Sequence, residues 1–243
     1  TKAVDPLGRE VKLTYAPNDI DLLQVEQRTG PGPTDFATLS DFDYDADNDG
    51  FDDYPHLPSL IEGADAVLLD MAYNSKGQIL SVTRKVPDGQ GGYTDEGTTD
   101  YTYVTSGSGE TYGFLQQVEG PAHGGQRPTT TYTYDAYGRV ATATDTDDFT
   151  LTYEYDDLDR ITRVNYPDGT FVAQLYEPFS EGLDLIGSID RMGRLTQFRH
   201  DALGRVVQSI DPKGQSTTYQ WCGCGSLNAI TDPLGQTTTW MRD

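Results

Sequence analysis

The sequence predicts an all-β protein, an array of stacked β-hairpins that forms one continuous curved sheet. The first observation is a regular spacing of aspartates. Asp190, Asp201, Asp211, Cys222, Asp232 and Asp243 follow one another at steps of 11, 10, 11, 10 and 11 residues, with the cysteine in the place of an aspartate. The second is a glycine three residues after each of the first five positions, and the third is the Thr, Val, Ile, Tyr and Phe between them, which favour strands. A fixed period of this kind indicates one structural unit used repeatedly.

Each Asp and the glycine that follows it suit a four-residue turn. The Asp side chain accepts a hydrogen bond from the backbone two residues on, and Gly adopts the conformation with which the chain leaves the turn. Pro212 and Pro233 occupy the second turn position, where their fixed φ fits. Two steps make one hairpin of 21 residues. Because a single hairpin is only marginally stable in water, neighbouring hairpins must stack to bury a face.

The most regular pair of hairpins begins at Tyr134. Tyr134-Asp135 and Tyr155-Asp156 stand 21 residues apart. Apolar and polar side chains alternate over 149–155, which is the period of a half-buried strand. Asp159 takes the place of a turn glycine, and we expect the turn to survive because Asp tolerates positive φ better than most residues.

The pattern divides the chain into segments. These are a strand-turn unit at 1–15, an insertion at 16–72 with an acidic loop at 41–55, degenerate hairpin repeats at 73–128, and regular repeats at 129–243 with a short insertion at 177–188. The chain opens inside a strand-turn unit at Thr1 and closes at the start of another at Asp243. We therefore expect it to be a piece of a longer protein, so that missing targeting signals carry no information.

The charge of the chain restricts its partners. With 39 acidic and 17 basic residues among 243, the net charge is −22. Nucleic acid is an unexpected partner because its phosphates would be repelled, whereas an extracellular surface or cation binding fits. The sequence has no run of about 18 apolar residues, and so it predicts no membrane-spanning helix.

The acidic loop contains a D-x-D-x-D-G-x-x-D pattern. The candidate Ca²⁺ ligands are the side chains of Asp45, Asp47, Asp49 and Asp53 and the backbone carbonyl of Phe51. Calcium takes six to eight oxygens, and alternate side chains of a looping backbone converge on one point. The loop resembles the calcium loops of EF-hands, dockerins and thrombospondin type 3 repeats, although His56 stands where an EF-hand has its bidentate Glu. The alternative is a solvated acidic loop without a metal, which mutual repulsion of the aspartates would disfavour.

Other reactive side chains fit structural roles. A disulfide between Cys222 and Cys224 would be strained, and two cysteines are too few for zinc, so we expect two small residues packed in a turn. The three histidines, His56, His123 and His200, lie in two loops and in a repeat position otherwise held by tyrosine. Most of the 16 tyrosines occupy strand positions of the repeats, where packing is expected in preference to a sugar site. Arginines that follow the turn glycines could pair with aspartates of neighbouring turns, each exposed pair contributing about 0–1 kcal/mol.

Residues 134–140, with the sequence YDAYGRV, resemble the YDxxGR[LV] signature of YD repeats, also called RHS repeats. Residues 155–161 match without the glycine, and residues 200–206 match with His for Tyr. The resemblance implies hairpins in one long sheet that spirals into a hollow shell, as in bacterial polymorphic toxins, insecticidal toxin cocoon components and teneurins. In the toxins such a shell encloses a C-terminal effector. Many toxin members also cleave themselves near a DPxGL motif, but here DPLG at 5–8 and 232–235 lacks the final Leu and falls on the repeat, so we interpret both copies as turns.

The sequence favours a non-enzymatic function. The first hypothesis is a wall segment of a large secreted or cell-surface protein, which encloses or presents another part of the same polypeptide and carries a structural Ca²⁺ site. The second is an extracellular adhesin or fibre component that binds glycans or other cells. They differ in the parent protein, because encapsulation needs further repeats and an unrelated C-terminal domain, whereas adhesion needs exposed aromatic side chains on an open face.

Overall fold

The computed structural model describes residues 1–4, 8–45, 56–105, 112–178 and 183–240, and these residues confirm the all-β fold. They contain 20 strands and no helix, hence no helix that could cross a membrane. The first ten strands are β1 (Lys2–Val4), β2 (Glu10–Tyr15), β3 (Leu22–Arg28), β4 (Phe36–Asp43), β5 (Leu60–Gly63), β6 (Leu68–Tyr73), β7 (Ile79–Pro87), β8 (Tyr93–Tyr103), β9 (Leu115–Glu119) and β10 (Thr129–Tyr134). The others are β11 (Val140–Asp145), β12 (Thr150–Tyr155), β13 (Ile161–Asn165), β14 (Phe171–Tyr176), β15 (Leu185–Ile189), β16 (Leu195–His200), β17 (Val206–Ile210), β18 (Ser216–Trp221), β19 (Leu227–Thr231) and β20 (Thr237–Thr239).

All 20 strands belong to one hydrogen-bonded sheet. From β1 to β10, and again from β11 to β20, each strand pairs antiparallel with the next one along the chain. The chain consists of two compact units, Thr1–Thr131 and Tyr132–Asp243, and β10 crosses the boundary between them. The stacked-hairpin prediction is therefore confirmed within each unit.

The alternation of 10 and 11 residues in the repeat follows the lengths of the strands, and a β-bulge accompanies the pairing of each longer strand with the shorter strand that follows it. The pairing register shifts just before the last residue of β12, β14, β16 and β18, at Tyr155, Tyr176, His200 and Trp221. A bulge places one extra residue in one strand of a pair. The 11-residue steps, from Asp190 to Asp201 and from Asp211 to Cys222, contain β16 and β18. Those two strands have six residues each, whereas β17 and β19, in the 10-residue steps, have five. The extra residue of each bulge lies in the shorter strand, at Val207 in β17 and at Asn228 in β19.

Side chains of the sheet are mostly half-buried. Among the residues that the structure describes, the buried apolar side chains are those of Tyr44, Tyr73, Ala173 and Ala229, and no large side chain is fully buried. A sheet without a second layer has no deep core. Its hairpins must therefore be joined by contacts within the layer, and the turns supply these.

The two segments set apart by the sequence also contribute to the sheet. Residues 16–72 supply β3 to β6. The segment at 177–188 holds a lengthened turn and β15. In this turn the Glu177 N–H donates to the Asp184 carbonyl, seven residues on, at 2.9 Å, whereas regular turns close over four residues. The lengthening adds three residues to one turn and leaves the strands in place.

Candidate functional site

The turns of residues 132–240 share the most regular geometry among the described residues. Because strands alternate in direction, the turns fall into two rows. The first row comprises 135–139, 156–160, 177–184, 201–205 and 222–226, and the second row comprises 145–149, 166–170, 190–194, 211–215 and 232–236. In the regular turns the N–H of the first residue donates to the carbonyl of the fifth, and the N–H of the fourth donates to the carbonyl of the first. These two hydrogen bonds require a positive φ at the fourth residue, which is why Gly occupies this position, as at Gly204 with φ 71°.

The aspartate that opens a turn caps it from inside. One oxygen of Asp201, Oδ1, accepts the N–H of Leu203 at 2.9 Å and that of Arg205 at 3.1 Å. Asp211, at the other end of β17, does the same with the N–H groups of Lys213 and Gln215, at 2.9 and 2.8 Å. The Asp predicted from the sequence is therefore confirmed as the turn-forming residue.

The arginine at the fifth turn position binds the second carboxylate oxygen of its own turn. Arg205 Nε lies 2.8 Å from Asp201 Oδ2, and the same bond occurs in the turns that begin at Asp135, Asp156 and Asp190. Pairing with neighbouring turns, the expectation from the sequence, is secondary. Arg139 makes it, with Nη1 2.9 Å from Asp159 Oδ1 in the next turn of the first row.

These bonds change the titration of the turn carboxylates. Hydrogen bonds from the Arg205 side chain are the main cause that lowers the pKa of Asp201 below its ordinary value of 3.8, and the backbone N–H bonds act in the same direction. Burial alone would raise the pKa of Asp135, but the bonds from Arg139 and the turn N–H groups outweigh it, so that this pKa is lowered as well. The ionised form therefore stabilises the turns.

The aromatic residue before the aspartate links one turn of the first row to the previous one. The Tyr155 hydroxyl donates to the Val140 carbonyl at 2.8 Å, and Trp221 Nε1 donates to the Val206 carbonyl at the same distance. The Arg139 guanidinium lies over the Tyr155 ring, 4.6 Å from its centroid, a favourable cation–π contact. Tyr, Asp, Gly and Arg of the YDxxGR pattern thus have separate roles in closing a turn and in linking it to its neighbour. We call the links between 135–139 and 156–160 and between 201–205 and 222–226 the turn ladder.

Cys222 and Cys224 form a disulfide, and the expectation of two unlinked packed cysteines was wrong. The turn brings their Cα atoms to 5.2 Å, which lies inside the range that a disulfide requires. Cys222 occupies the position of the turn aspartate, and its Sγ accepts the Ser226 N–H at 3.3 Å.

Of the predicted Ca²⁺ ligands, the structure describes only Asp45. Asp47, Asp49, Phe51 and Asp53 lie outside the described residues. No group of three or more His, Cys, Asp or Glu side chains within the described ranges has the geometry to hold a metal ion. The Ca²⁺ site therefore stays a prediction.

The base of the acidic loop contains a buried carboxylate that the sequence did not single out. Asp21 precedes β3 and is 5% exposed. It accepts a hydrogen bond from the Asn18 side chain, and its Oδ1 lies 2.8 Å from His56 Nδ1. The bond from Asn18 is the main cause that lowers the Asp21 pKa, against the effect of burial, and the bond to His56 acts in the same direction. Only tertiary structure could reveal this contact, because the residues are 35 apart in the sequence.

Comparison with known proteins supports the repeat. Residues 134–170 and 180–217 match the family model of the RHS repeat. No curated protein matches the chain.

Solved structures resemble the chain over nearly its whole length. The crystal structure of TcdB2-TccC3-Cdc42 matches 95% of the chain with a TM-score of 0.63 at 14% identity. That of TcdB2-TccC3 without the hypervariable C-terminal region matches 95% with a TM-score of 0.66 at 15% identity. The Tc holotoxin pore of Photorhabdus luminescens matches 98% with a TM-score of 0.55 at 15% identity. The chain spans only 12% of the first two matched chains and 15% of the third. The chain is therefore similar to RHS repeats at 134–170 and 180–217, and its all-β fold is shared with these structures.

Proposed function

We propose that the chain is a length of wall in a large RHS-repeat shell protein, which encloses or presents another part of the same polypeptide. The observation that carries this proposal is the turn ladder. Arg and aromatic contacts tie the turn 135–139 to 156–160 and the turn 201–205 to 222–226, so that neighbouring hairpins are held together in a sheet without a deep core. Such a sheet has the properties of a wall, and the matched structures contain a similar sheet within a much longer chain.

The proposed role is structural and non-catalytic. The Asp and Arg side chains of the turns are engaged in closing those turns and in linking them to their neighbours. In a shell protein the chemistry would belong to whatever the wall encloses. The Cys222–Cys224 disulfide supports a secreted or cell-surface location, because disulfides persist in oxidising compartments.

Cryo-electron microscopy of the intact parent protein tests the wall proposal. We expect a closed hollow shell with additional density inside it, and with these hairpins in its wall. An open ribbon or filament would contradict encapsulation, and glycan binding by an adhesin would then be the function to measure next.

We propose further that the acidic loop binds one structural Ca²⁺ through Asp45, Asp47, Asp49, Asp53 and the Phe51 carbonyl. The ends of the loop support this. Asp43 and Leu60 are paired across β4 and β5, and the Ser59 N–H donates to the Asp43 carbonyl at 2.7 Å. These contacts hold the two ends of the loop together at its base, and oxygen donors are the ligands that Ca²⁺ prefers. When bound, the ion would neutralise part of the repulsion in the loop.

Isothermal titration with Ca²⁺ tests the site. We expect stoichiometric binding that is abolished in Asp47→Ala/Asp49→Ala. The control Asp147→Ala/Asp157→Ala removes the same charge from two exposed turn positions and should bind like the native chain. Undiminished Ca²⁺ binding in the loop variant would contradict the assignment, as would an equal loss in the control.

A further inference from the structure

One turn of the first row is closed by a covalent bond. In the turn 222–226, the Cys222 N–H donates to the Ser226 carbonyl at 2.9 Å and the Gly225 N–H donates to the Cys222 carbonyl at 3.0 Å. These are the two backbone bonds of every regular turn. The difference is the Cys222–Cys224 disulfide across Gly223.

The disulfide occupies the place of a specific hydrogen bond. In the turn 201–205, Asp201 Oδ1 accepts N–H bonds from the third and the fifth residue, Leu203 and Arg205. In the turn 222–226 the fifth residue still donates to the side chain of the first, from Ser226 N–H to Cys222 Sγ. The third residue, Cys224, is instead joined to the first by the S–S bond. The covalent bond thus replaces one of the two caps that an aspartate makes.

This turn is a full member of the ladder. Arg205 Nη1 donates to the Cys222 carbonyl at 3.3 Å, as Arg139 Nη1 does to the Asp156 carbonyl at 3.1 Å. The Arg205 guanidinium lies 5.6 Å from the centre of the Trp221 ring. A change in the turn therefore acts on a contact between two hairpins.

The disulfide is accessible from solvent. Cys224 is exposed, as are the flanking Gly223 and Gly225, while Cys222 is half-buried. Thiol–disulfide exchange requires a thiolate to reach one sulfur along an open path. The geometry favours attack at Cys224 Sγ, with the Cys222 thiolate as the leaving group.

We propose that Cys222–Cys224 is a redox modification site for a low-molecular-weight thiol or a dithiol reductant, and that its reduction opens this one turn while the aspartate turns stay closed. A reductant thiolate forms a bond to Cys224 Sγ as the S–S bond breaks, and the Cys222 thiolate takes a proton from water. A second reductant thiolate then attacks the mixed disulfide and releases the Cys224 thiolate, which is protonated in turn. Two electrons pass to the protein, and the reductant leaves as its own disulfide. The reduced turn retains its backbone bonds but has lost the covalent cap and has no carboxylate to replace it.

Hydrogen exchange of the native 243-residue chain tests the proposal, with dithiothreitol as the reductant. Iodoacetamide should label neither cysteine before reduction and both cysteines after it. Amide exchange in 222–226 should then rise about tenfold, as the loss of one capping interaction implies. The turn 201–205 of the same molecule serves as the internal control and should exchange at an unchanged rate.

The variant Cys222→Asp/Cys224→Leu rebuilds a regular D-G-L-G turn and should show no response to dithiothreitol. Labelling of both cysteines in the unreduced native chain would overturn the proposal. Equal amide exchange rates of 222–226 in the oxidised and the reduced native chain would also overturn it. This comparison uses the native chain alone and does not depend on the folding of a variant. Neither result depends on whether the parent protein forms a shell.

Discussion

The hydroxyl of Tyr155 provides the sharpest test of the turn ladder. It donates to the Val140 carbonyl at 2.8 Å, across 15 residues of sequence, and so joins two consecutive hairpins. Tyr155→Phe removes this one hydrogen bond and keeps the ring, which packs beneath Arg139. If the aromatic residue of the repeat served only to fill space, the substitution would have little effect on stability.

The expected cost follows from the environment of the bond. Burial raises the Tyr155 pKa, which indicates that the hydroxyl is partly removed from water. A neutral hydrogen bond contributes about 0.5–1.5 kcal/mol, and leaving a buried acceptor without a donor costs about 1–3 kcal/mol. Since Val140 is half-buried and water can partly replace the donor, we expect a loss of about 1–2 kcal/mol in the free energy of unfolding. Each kcal/mol corresponds to a decrease of about 2–4 °C in Tm for a chain of this size.

Tyr137→Phe is the matched control. Arg139 also lies over the Tyr137 ring, 4.8 Å from its centroid, but this residue is 80% exposed at the tip of the turn. Its substitution should change the free energy of unfolding by no more than about 0.5 kcal/mol. Urea denaturation of the native chain and the two variants, followed by circular dichroism, gives both values. Equal values for the two variants would refute the assignment of a linking role to the Tyr155 hydroxyl.

Two further predictions concern charge. The pKa values of the turn carboxylates are lower in the folded than in the unfolded chain, so these groups contribute stability above about pH 4 and lose it as the pH falls through their lowered pKa values. Acid also relieves the repulsion due to the charge of −22, and the measurement is therefore the difference in Tm between the native chain and Asp201→Asn, from pH 7 to pH 3. This difference should shrink as the pH falls, and its growth would contradict the pairing of Asp201 with Arg205. Arg127→Lys should cost about 2 kcal/mol in chemical denaturation, because the Arg127 guanidinium donates to the carbonyls of Thr98 and Gly120, both at 2.9 Å, and a lysine cannot reach both. Arg84→Lys, at an exposed ion pair with Glu96, is its control and should be nearly neutral. Equal losses for the two variants would contradict the role given to the Arg127 guanidinium.

The sequence predicted the turns of residues 132–240 well because each turn depends on local chemistry. An aspartate that accepts two N–H groups within five residues leaves the same mark wherever it occurs, and Gly or Asp159 marks the positive φ that follows. The steps of 10 and 11 residues reflect strands of five and six residues, but the spacing alone did not reveal the bulges in β17 and β19. Contacts between hairpins were harder to predict. The preference of Arg139 for its own Asp135 over a neighbouring turn depends on side-chain geometry that spacing does not fix.

Residues 16–72 show how a structure persists after its sequence signal is lost. The turn at 63–67 has the backbone bonds of a regular turn, with the Gly63 N–H donating to the Val67 carbonyl and the Ala66 N–H to the Gly63 carbonyl, both at 2.9 Å. It begins with a glycine in place of an aspartate, and Ala66 takes the positive φ of 58°. Neither marker residue is present, so the period disappears from the sequence while β5 and β6 remain paired.

The candidate sites also differ in whether a local sequence pattern could predict them. The acidic pattern from Asp45 to Asp53 is a local signal, and so the sequence alone could propose it. The Asp21–His56 contact and the Cys222–Cys224 bond depend on how the chain turns back on itself. The expectation of two unlinked cysteines failed because the turn holds the two Cα atoms 5.2 Å apart, within the range of a disulfide.

The turn ladder also explains how one turn can differ from the others. Each described link joins a hairpin to its neighbour in sequence, as Tyr155 joins Val140 and Trp221 joins Val206. In a structure held by nearest-neighbour contacts, stability is approximately the sum of local terms. One turn can then be lengthened, as at 177–184, or closed by a disulfide, as at 222–226, without altering the pairing of the strands on either side. A sheet built in this way accommodates a change at one hairpin while the pairing of the other strands is unchanged.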